Sequence, residues 1–327
     1  MTDLKSIKIL VPKGLYAPTF KKIEEAFDTV VVENRDLSEL NDADRAAIVG
    51  IASAGNVSAQ MMDKLPNLEI VASFGVGYDT VDADHAAAKG IMVTNTPDVL
   101  TDEVADTTIG LLLMTVREFG QAEQHLREGR WEAEGHYPLT ATTLRGRSVG
   151  IMGLGRIGLA IASRLEPFGV SIAYHNRSKR DDVSYAYHDT LEGLATAVDT
   201  LIIAAPGGAG TEKAVDAKVL RALGPDGVLI NIGRGTVVDE DALIEALENK
   251  TIARAGLDVF EKEPHVPERL IKAPNTTLLP HVASASHHTR GLMGDLVVDN
   301  LKAWFSGRPA TTPVAEATKA GLRQRAA

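Results

Sequence analysis

The sequence predicts an α/β protein of two domains, each built on a doubly wound parallel sheet. Three observations predict it. Short apolar runs of strand length alternate with amphipathic stretches through the first hundred residues, the pattern of parallel βαβ units. A second alternating run begins at Ser148 and continues to Leu279. The chain has 327 residues, enough for two domains at roughly 150 residues each.

In chain order, the first strands are expected at Ile7–Val11, Thr29–Glu33, Ala47–Ala52, Glu69–Phe74 and Ile91–Thr94. The helical stretches between them are Phe20–Phe27, Ser58–Leu65 and Ala83–Lys89, the last stopped by Gly90. Asp102–Arg117 opens on acidic residues, is apolar nearly all round from Ile109 and closes on Arg117, as a buried helix would. Glu118–Arg147 has a weak period and reads as an arm or loop. The second set of strands is expected at Ser148–Met152, Val170–His175, Thr200–Ala204, Val228–Asn231, Ala253–Leu257 and Thr277–Leu279. His287–Phe305 is helical again and stops before Gly307, and the last dozen residues read as a loose tail.

Composition removes several function classes. Thirty-four Lys+Arg against 44 Asp+Glu give a net charge of -10, the wrong sign for coating phosphates. The absence of cysteine excludes a disulfide scaffold, a thiolate zinc site and a cysteine nucleophile, and no metal site is expected. Ile109–Val116, the longest apolar stretch, is far shorter than the ~18 residues of a membrane helix. The start of the chain does not read as a signal peptide, so a cytoplasmic protein is expected.

Gly153-Leu154-Gly155-Arg156-Ile157-Gly158 follows one strand-like run and opens a helix-like one, the context a dinucleotide-binding loop requires. The first glycine permits the turn, the second lets backbone approach a pyrophosphate, and the third lets helix pack on strand. Eighteen residues beyond Gly158, where an NAD-specific fold places an acid on the ribose, stands Asn176, followed by Arg177 and Ser178. A carboxylate would repel a 2′-phosphate, whereas these residues can donate charge-assisted bonds to it. NADP is the expected cofactor, with NADPH preferred over NADH.

Asn231–Gly235, Gly256–Pro264 and Leu279–Ser284 each follow a strand of the second set, and in an open parallel sheet such segments share one edge. They carry Arg234, the acids Glu261 and Glu263, and His281. Arginine can hold a carboxylate in two-pronged fashion, and a protonated histidine kept charged by a nearby acid can protonate a developing alkoxide. Spacing alone does not choose between the two glutamates.

These blocks resemble the D-isomer-specific 2-hydroxyacid dehydrogenase family over almost the whole chain. The stretches concerned are Ser73–Asp79, Val93–Pro97, Gly150–Gly158, Asn231–Gly235, Asp258–Pro264 and Pro280–Ser284. Within the family the likeness is greatest to NADPH-dependent glyoxylate/hydroxypyruvate and hydroxyphenylpyruvate reductases. The resemblance implies that Arg234 binds the substrate carboxylate, Glu263 partners the histidine and His281 donates the proton. It further implies that the amides of Val76 and Gly77 grip the carboxylate, with Ser284 nearby. Leu154–Ile157, Asn176–Ser178, Ile232, Gly233, Arg234 and Asp258 are implied to line the cofactor.

The implied fold is a Rossmann cofactor domain, residues 101–286, inserted into a discontinuous flavodoxin-like substrate domain of residues 1–100 and 287–327. A dimerisation arm is expected at about 102–147, hence a homodimer, with Trp131–Pro138 near the neighbouring active site. Two other readings share the fold. 3-Phosphoglycerate dehydrogenase is less favoured because the chain ends soon after its last helix; a nucleotide-sensing binding protein is less favoured by the acidic charge and lack of interaction tails. Formate dehydrogenase is disfavoured by Pro280 before the histidine.

Overall fold

The computed structural model describes residues 3–322. The chain divides into two compact units: residues up to Leu100 with those from Ser286 onward, and Thr101–Ala285. The first carries β1 (Lys8–Pro12), β2 (Asp28–Val32), β3 (Ile48–Ser53), β4 (Ile70–Ser73) and β5 (Met92–Thr94) in the order β2-β1-β3-β4-β5. All its neighbours pair in parallel. β3 and β4 read as continuous apolar runs because helices cover a parallel sheet on both faces. Ile9, Leu10, Ile51, Ile70 and Val71 are fully buried, each contributing roughly 1.5–3 kcal/mol. The helix His287–Phe305 returns the chain to this unit; Gly294 lets it approach Thr19 of the helix Ala17–Ala26, and Phe305 meets Phe27 edge-on.

The second unit holds β6 (Ser148–Met152), β7 (Ser171–His175), β8 (Ala186–Tyr187), β9 (Thr200–Ile203), β10 (Val228–Asn231), β11 (Arg254–Leu257) and β12 (Thr276–Leu278). Their order is β12-β11-β10-β9-β6-β7-β8, again parallel throughout. Strand order reverses between β6 and β9, the switch point beyond which such sheets bind ligands. The helix Thr101–Arg117 packs close over β11: a Cβ on Gly256 would sit within van der Waals radii of Thr115 Oγ1.

Two sequence expectations need correction, and one strand was not anticipated. The weakly periodic arm contains two helices, Phe119–Arg127 and Arg130–Glu134. Both are short, Gly129 separates them, and His125 is the one residue of the pair that is buried, so no apolar stripe marks them. The two-residue strand β8 has no strand-length pattern to detect. The expected loose tail is ordered as far as it is described: Ala315–Lys319 is helical, with Val314 and Ala317 buried. Residues 323–327 of that tail lie outside the described residues.

Among the described residues no helix is long and apolar enough to cross a membrane, and no cluster of His, Asp or Glu could hold a metal.

Candidate active site

The three glycines of the nucleotide loop have three different surroundings. Gly153 turns the chain out of β6 at φ +95, and a Cβ there would lie 2.6 Å from Ala205 N, just beyond β9. Gly155 opens the helix Arg156–Leu165 with no side-chain cap, and a Cβ on it would meet nothing within 4 Å. Gly158 is pressed against the Gly153 carbonyl, where a Cβ would overlap it. The open face is therefore at the uncapped helix start, where backbone amides and the helix dipole favour a phosphate.

Leu154 fixes this loop to the end of β7. Its amide donates to Asn176 Oδ1 at 2.7 Å, and its carbonyl accepts from Arg180 Nη1 at 3.0 Å. Asn176 thus braces the glycine loop where an acid was the alternative, and Arg180, which also pairs with Asp182, is a loop-holding residue the sequence reading did not single out. Arg177, Ser178 and Lys179 are exposed, and among the described residues their side chains bond no other group. The turn presents donors and no carboxylate of its own at β7's end, so the residues present fit a dinucleotide carrying a 2′-phosphate.

The three strand-end loops meet on one edge because β10, β11 and β12 are neighbours. Buried Asn231 shapes the first: its Oδ1 accepts from Gly233 N at 3.1 Å and its Nδ2 donates to the Arg234 carbonyl at 2.9 Å. A Cβ on Gly233 would lie 2.5 Å from Ala205 O, so Ala205 joins the Arg234 loop to the nucleotide loop. Ile232 is buried, with its amide on the Ile203 carbonyl. Gly235 packs on Phe260 so tightly that a Cβ would overlap the Phe260 carbonyl carbon, which brings the first loop against the second.

His281 Nδ1 and Glu263 Oε2 are 2.7 Å apart. Glu263 Oε1 accepts from the Phe260 amide at 3.1 Å, so the carboxylate is fixed at both oxygens. Burial pushes the Glu263 carboxyl up, but its bond to His281, the His281 charge, the Phe260 amide and the Arg234 charge together hold it below the ordinary value. Glu261 takes no part; its amide donates to Glu240 Oε2 at 3.3 Å. The structure thus pairs Glu263 with His281, and Arg234 lies near enough for its charge to act on the Glu263 carboxyl. Asp258 braces the histidine from beneath. Fully buried, it accepts from the Val282 and Ala283 amides at 2.7 and 2.9 Å, while its carbonyl accepts from His281 N at 2.9 Å. These bonds hold His281 in the left-handed region at φ +55, which a non-glycine residue keeps only when its surroundings determine it. Burial raises the Asp258 carboxyl above its ordinary value, against the pull of the two amides. Ser284 is buried, and its hydroxyl bonds none of these residues.

Val76 and Gly77 lie in the first unit, in the loop after β4. The carbonyls of Gly75 and Val76 accept from Thr96 N at 2.9 Å and Asn95 Nδ2 at 2.8 Å, while the Val76 and Gly77 amides donate to no described residue.

The family model of the D-isomer specific 2-hydroxyacid dehydrogenase NAD binding domain matches residues 109–283, more than half of the chain. The chain belongs to this dehydrogenase family. It is 52% identical over 268 residues to a glyoxylate/hydroxypyruvate reductase A of Arabidopsis thaliana, covering 82% of this chain and 85% of that one. It is 49% identical over 280 residues to hydroxyphenylpyruvate reductase of Plectranthus scutellarioides, covering 86% and 88%. A solved NADPH-dependent glyoxylate/hydroxypyruvate reductase of Sinorhizobium meliloti, in complex with NADP and malonate, superposes with a TM-score of 0.95 at 60% identity, over 98% of this chain and 100% of that one. Among the family's dehydrogenases, then, the likeness runs to reductases of 2-oxo acids.

Proposed function

We propose that this chain reduces small 2-oxo acids, with glyoxylate, hydroxypyruvate and aryl pyruvates as the candidate substrates, to D-2-hydroxy acids using NADPH. The observation that carries the reading is the Glu263–His281 pair beside Arg234, on the strand-end edge of a unit whose nucleotide loop adjoins a basic turn. NADPH, when bound, supplies the hydride. Arg234 takes the substrate carboxylate and draws electron density from the adjacent ketone. His281, oriented by its hydrogen bond to Glu263, gives its proton to the oxygen that becomes the hydroxyl. The amides of Val76 and Gly77 are assigned to the same carboxylate, Ser284 to the substrate's surroundings, and Asp258 to the cofactor side as well as to bracing His281. Arg177 and Ser178 are assigned to the 2′-phosphate.

A homodimer formed through the 102–147 region is part of the proposal. It is supported by the exposed apolar residues Phe119, Leu126, Trp131 and Leu139 on one short arm. Action in the cytoplasm is also proposed, from the acidic, cysteine-free composition.

The test is to follow oxidation of NADPH and of NADH against glyoxylate, hydroxypyruvate, phenylpyruvate and 3-phosphohydroxypyruvate. Fast NADPH-linked turnover of the unphosphorylated acids is expected. Turnover of the phosphorylated acid alone would move the chain to serine synthesis, and tight cofactor binding without turnover would make it a nucleotide-sensing protein.

A further inference from the structure

Two consecutive peptides after β4 face the same way, and both are turned by the Asn95-Thr96 dipeptide. The Gly75 carbonyl accepts from the Thr96 amide, and the Val76 carbonyl accepts from Asn95 Nδ2. Both peptides are trans, and in a trans peptide the C=O and the following N–H point in opposite directions. The Val76 and Gly77 amides are therefore both aimed away from Asn95-Thr96. In a continuing strand successive amides would alternate sides; two that share a side form an anion-binding concavity.

The two anchors differ in kind. Thr96 acts through its main chain, which almost any residue would supply, whereas Asn95 acts through its side-chain donor. Asn95 is itself braced: its amide donates to the Thr312 carbonyl at 3.2 Å, and its carbonyl accepts from Thr312 Oγ1 at 2.6 Å. Fully buried Asn300 donates to Thr312 Oγ1 at 2.8 Å and accepts from the Thr311 and Thr312 amides at 2.9 and 3.0 Å. A hydrogen-bonded chain thus runs Asn300–Thr312–Asn95–Val76 within the first unit.

Resting on the reading that the two amides take the substrate carboxylate, we propose that Asn95 is a positioning residue: its side chain fixes the peptide that presents the Gly77 N–H, and Thr312 and Asn300 hold it in place. Asn95→Asp preserves size but sets an acceptor against the Val76 carbonyl. Its KM for glyoxylate is expected to rise roughly 10- to 100-fold, as for loss of a bond to a charged group. The kcat is expected to stay near the parent's, because a carboxylate grip is the same before and during reaction. NADPH affinity should not change. As pH falls the introduced carboxyl, once protonated, can donate again, so the ratio of variant to parent KM should shrink; Asn95→Leu should show no such recovery. Thr312→Val should raise KM by a smaller factor.

In the ligand-free protein, labelled with 15N-glycine, Asn95→Asp should displace the Gly77 amide resonance, and titration with oxalate should move that resonance in the parent far more than in the variant. A parent that binds NADPH but reduces no 2-oxo acid would sink the functional reading, while the Gly77 response to oxalate would still decide the role of Asn95. Variants that lose thermal stability yet keep the parent's KM at every pH, or leave the Gly77 resonance unmoved, would overturn the proposal and make Asn95 a simple loop tie.

Discussion

His281 and Glu263 illustrate how one contact assigns chemistry that residue type alone leaves open. The carboxylate carrying the short bond to the imidazole is Glu263, with Glu261 two residues earlier on a different partner. Replacing His281 with Ala is expected to lower kcat about 10²- to 10⁴-fold while NADPH binding stays nearly intact, the loss expected of a general acid; fluorescence titration of NADPH beside steady-state rates would check it. Glu263→Gln removes the carboxylate that fixes the imidazole at Nδ1, so kcat for reduction should fall while NADPH binding is kept, read from the same two measurements. The same carboxyl, held below its ordinary value in the fold, favours the folded state at pH above that ordinary value. That contribution is lost as pH falls through the lowered value, and Tm measured against pH should have a shallower acid limb in Glu263→Gln.

The loops are positioned by small residues and buried amides more than by the charged groups they carry. Gly235 against Phe260 and Gly233 against Ala205 set the Arg234 loop between its two neighbours. Gly235→Ala forces the first of these contacts apart, with an expected loss of about 1–3 kcal/mol from overpacking, read as a lower Tm, and a larger proportional loss of kcat/KM. The β7 turn offers the converse case, an exposed segment whose side chains are free to bind. Arg177→Ala is expected to raise KM for NADPH roughly tenfold or more, the equivalent of a charge-assisted bond, and to leave KM for NADH almost unchanged. Equal changes for both cofactors would defeat the 2′-phosphate assignment.

For the molecule as a whole, the arm is the part with most unexplained apolar surface. It is fastened to the second unit by Glu118, which pairs with Arg254 of β11 and accepts from Tyr137 Oη at 2.7 Å. Burial and the Glu118 partner push the Tyr137 hydroxyl up to about 12, so this tie persists across the working pH range. Beyond it Trp131 is 54% exposed and Leu139 fully so. If the arm seats a second copy, Trp131→Asp combined with Leu139→Asp should lower the sedimentation coefficient to that of a monomer; an unchanged value would place the interface elsewhere.

What the sequence by itself determined is local. Strand and helix periods, and the loops that follow each strand, are written within windows of a few residues, so eleven of the twelve strands among the described residues were legible to within a residue or so. The nucleotide loop was legible for the same reason, its glycines standing in one short segment between a strand and a helix. The arm helices were not, because exposed helices need no apolar face. Glu263 as the partner of His281 was already implied by the family resemblance, whereas tertiary structure alone decided that Asp258 braces the His281 turn and that Asn176 and Arg180 hold Leu154. It alone decided, too, that Asn95 turns the Val76 peptide while the distant Thr312 holds Asn95. Each of these is a hydrogen bond between separate loops, whose ends are brought together by sheet order and close packing, and no local period records such a partner.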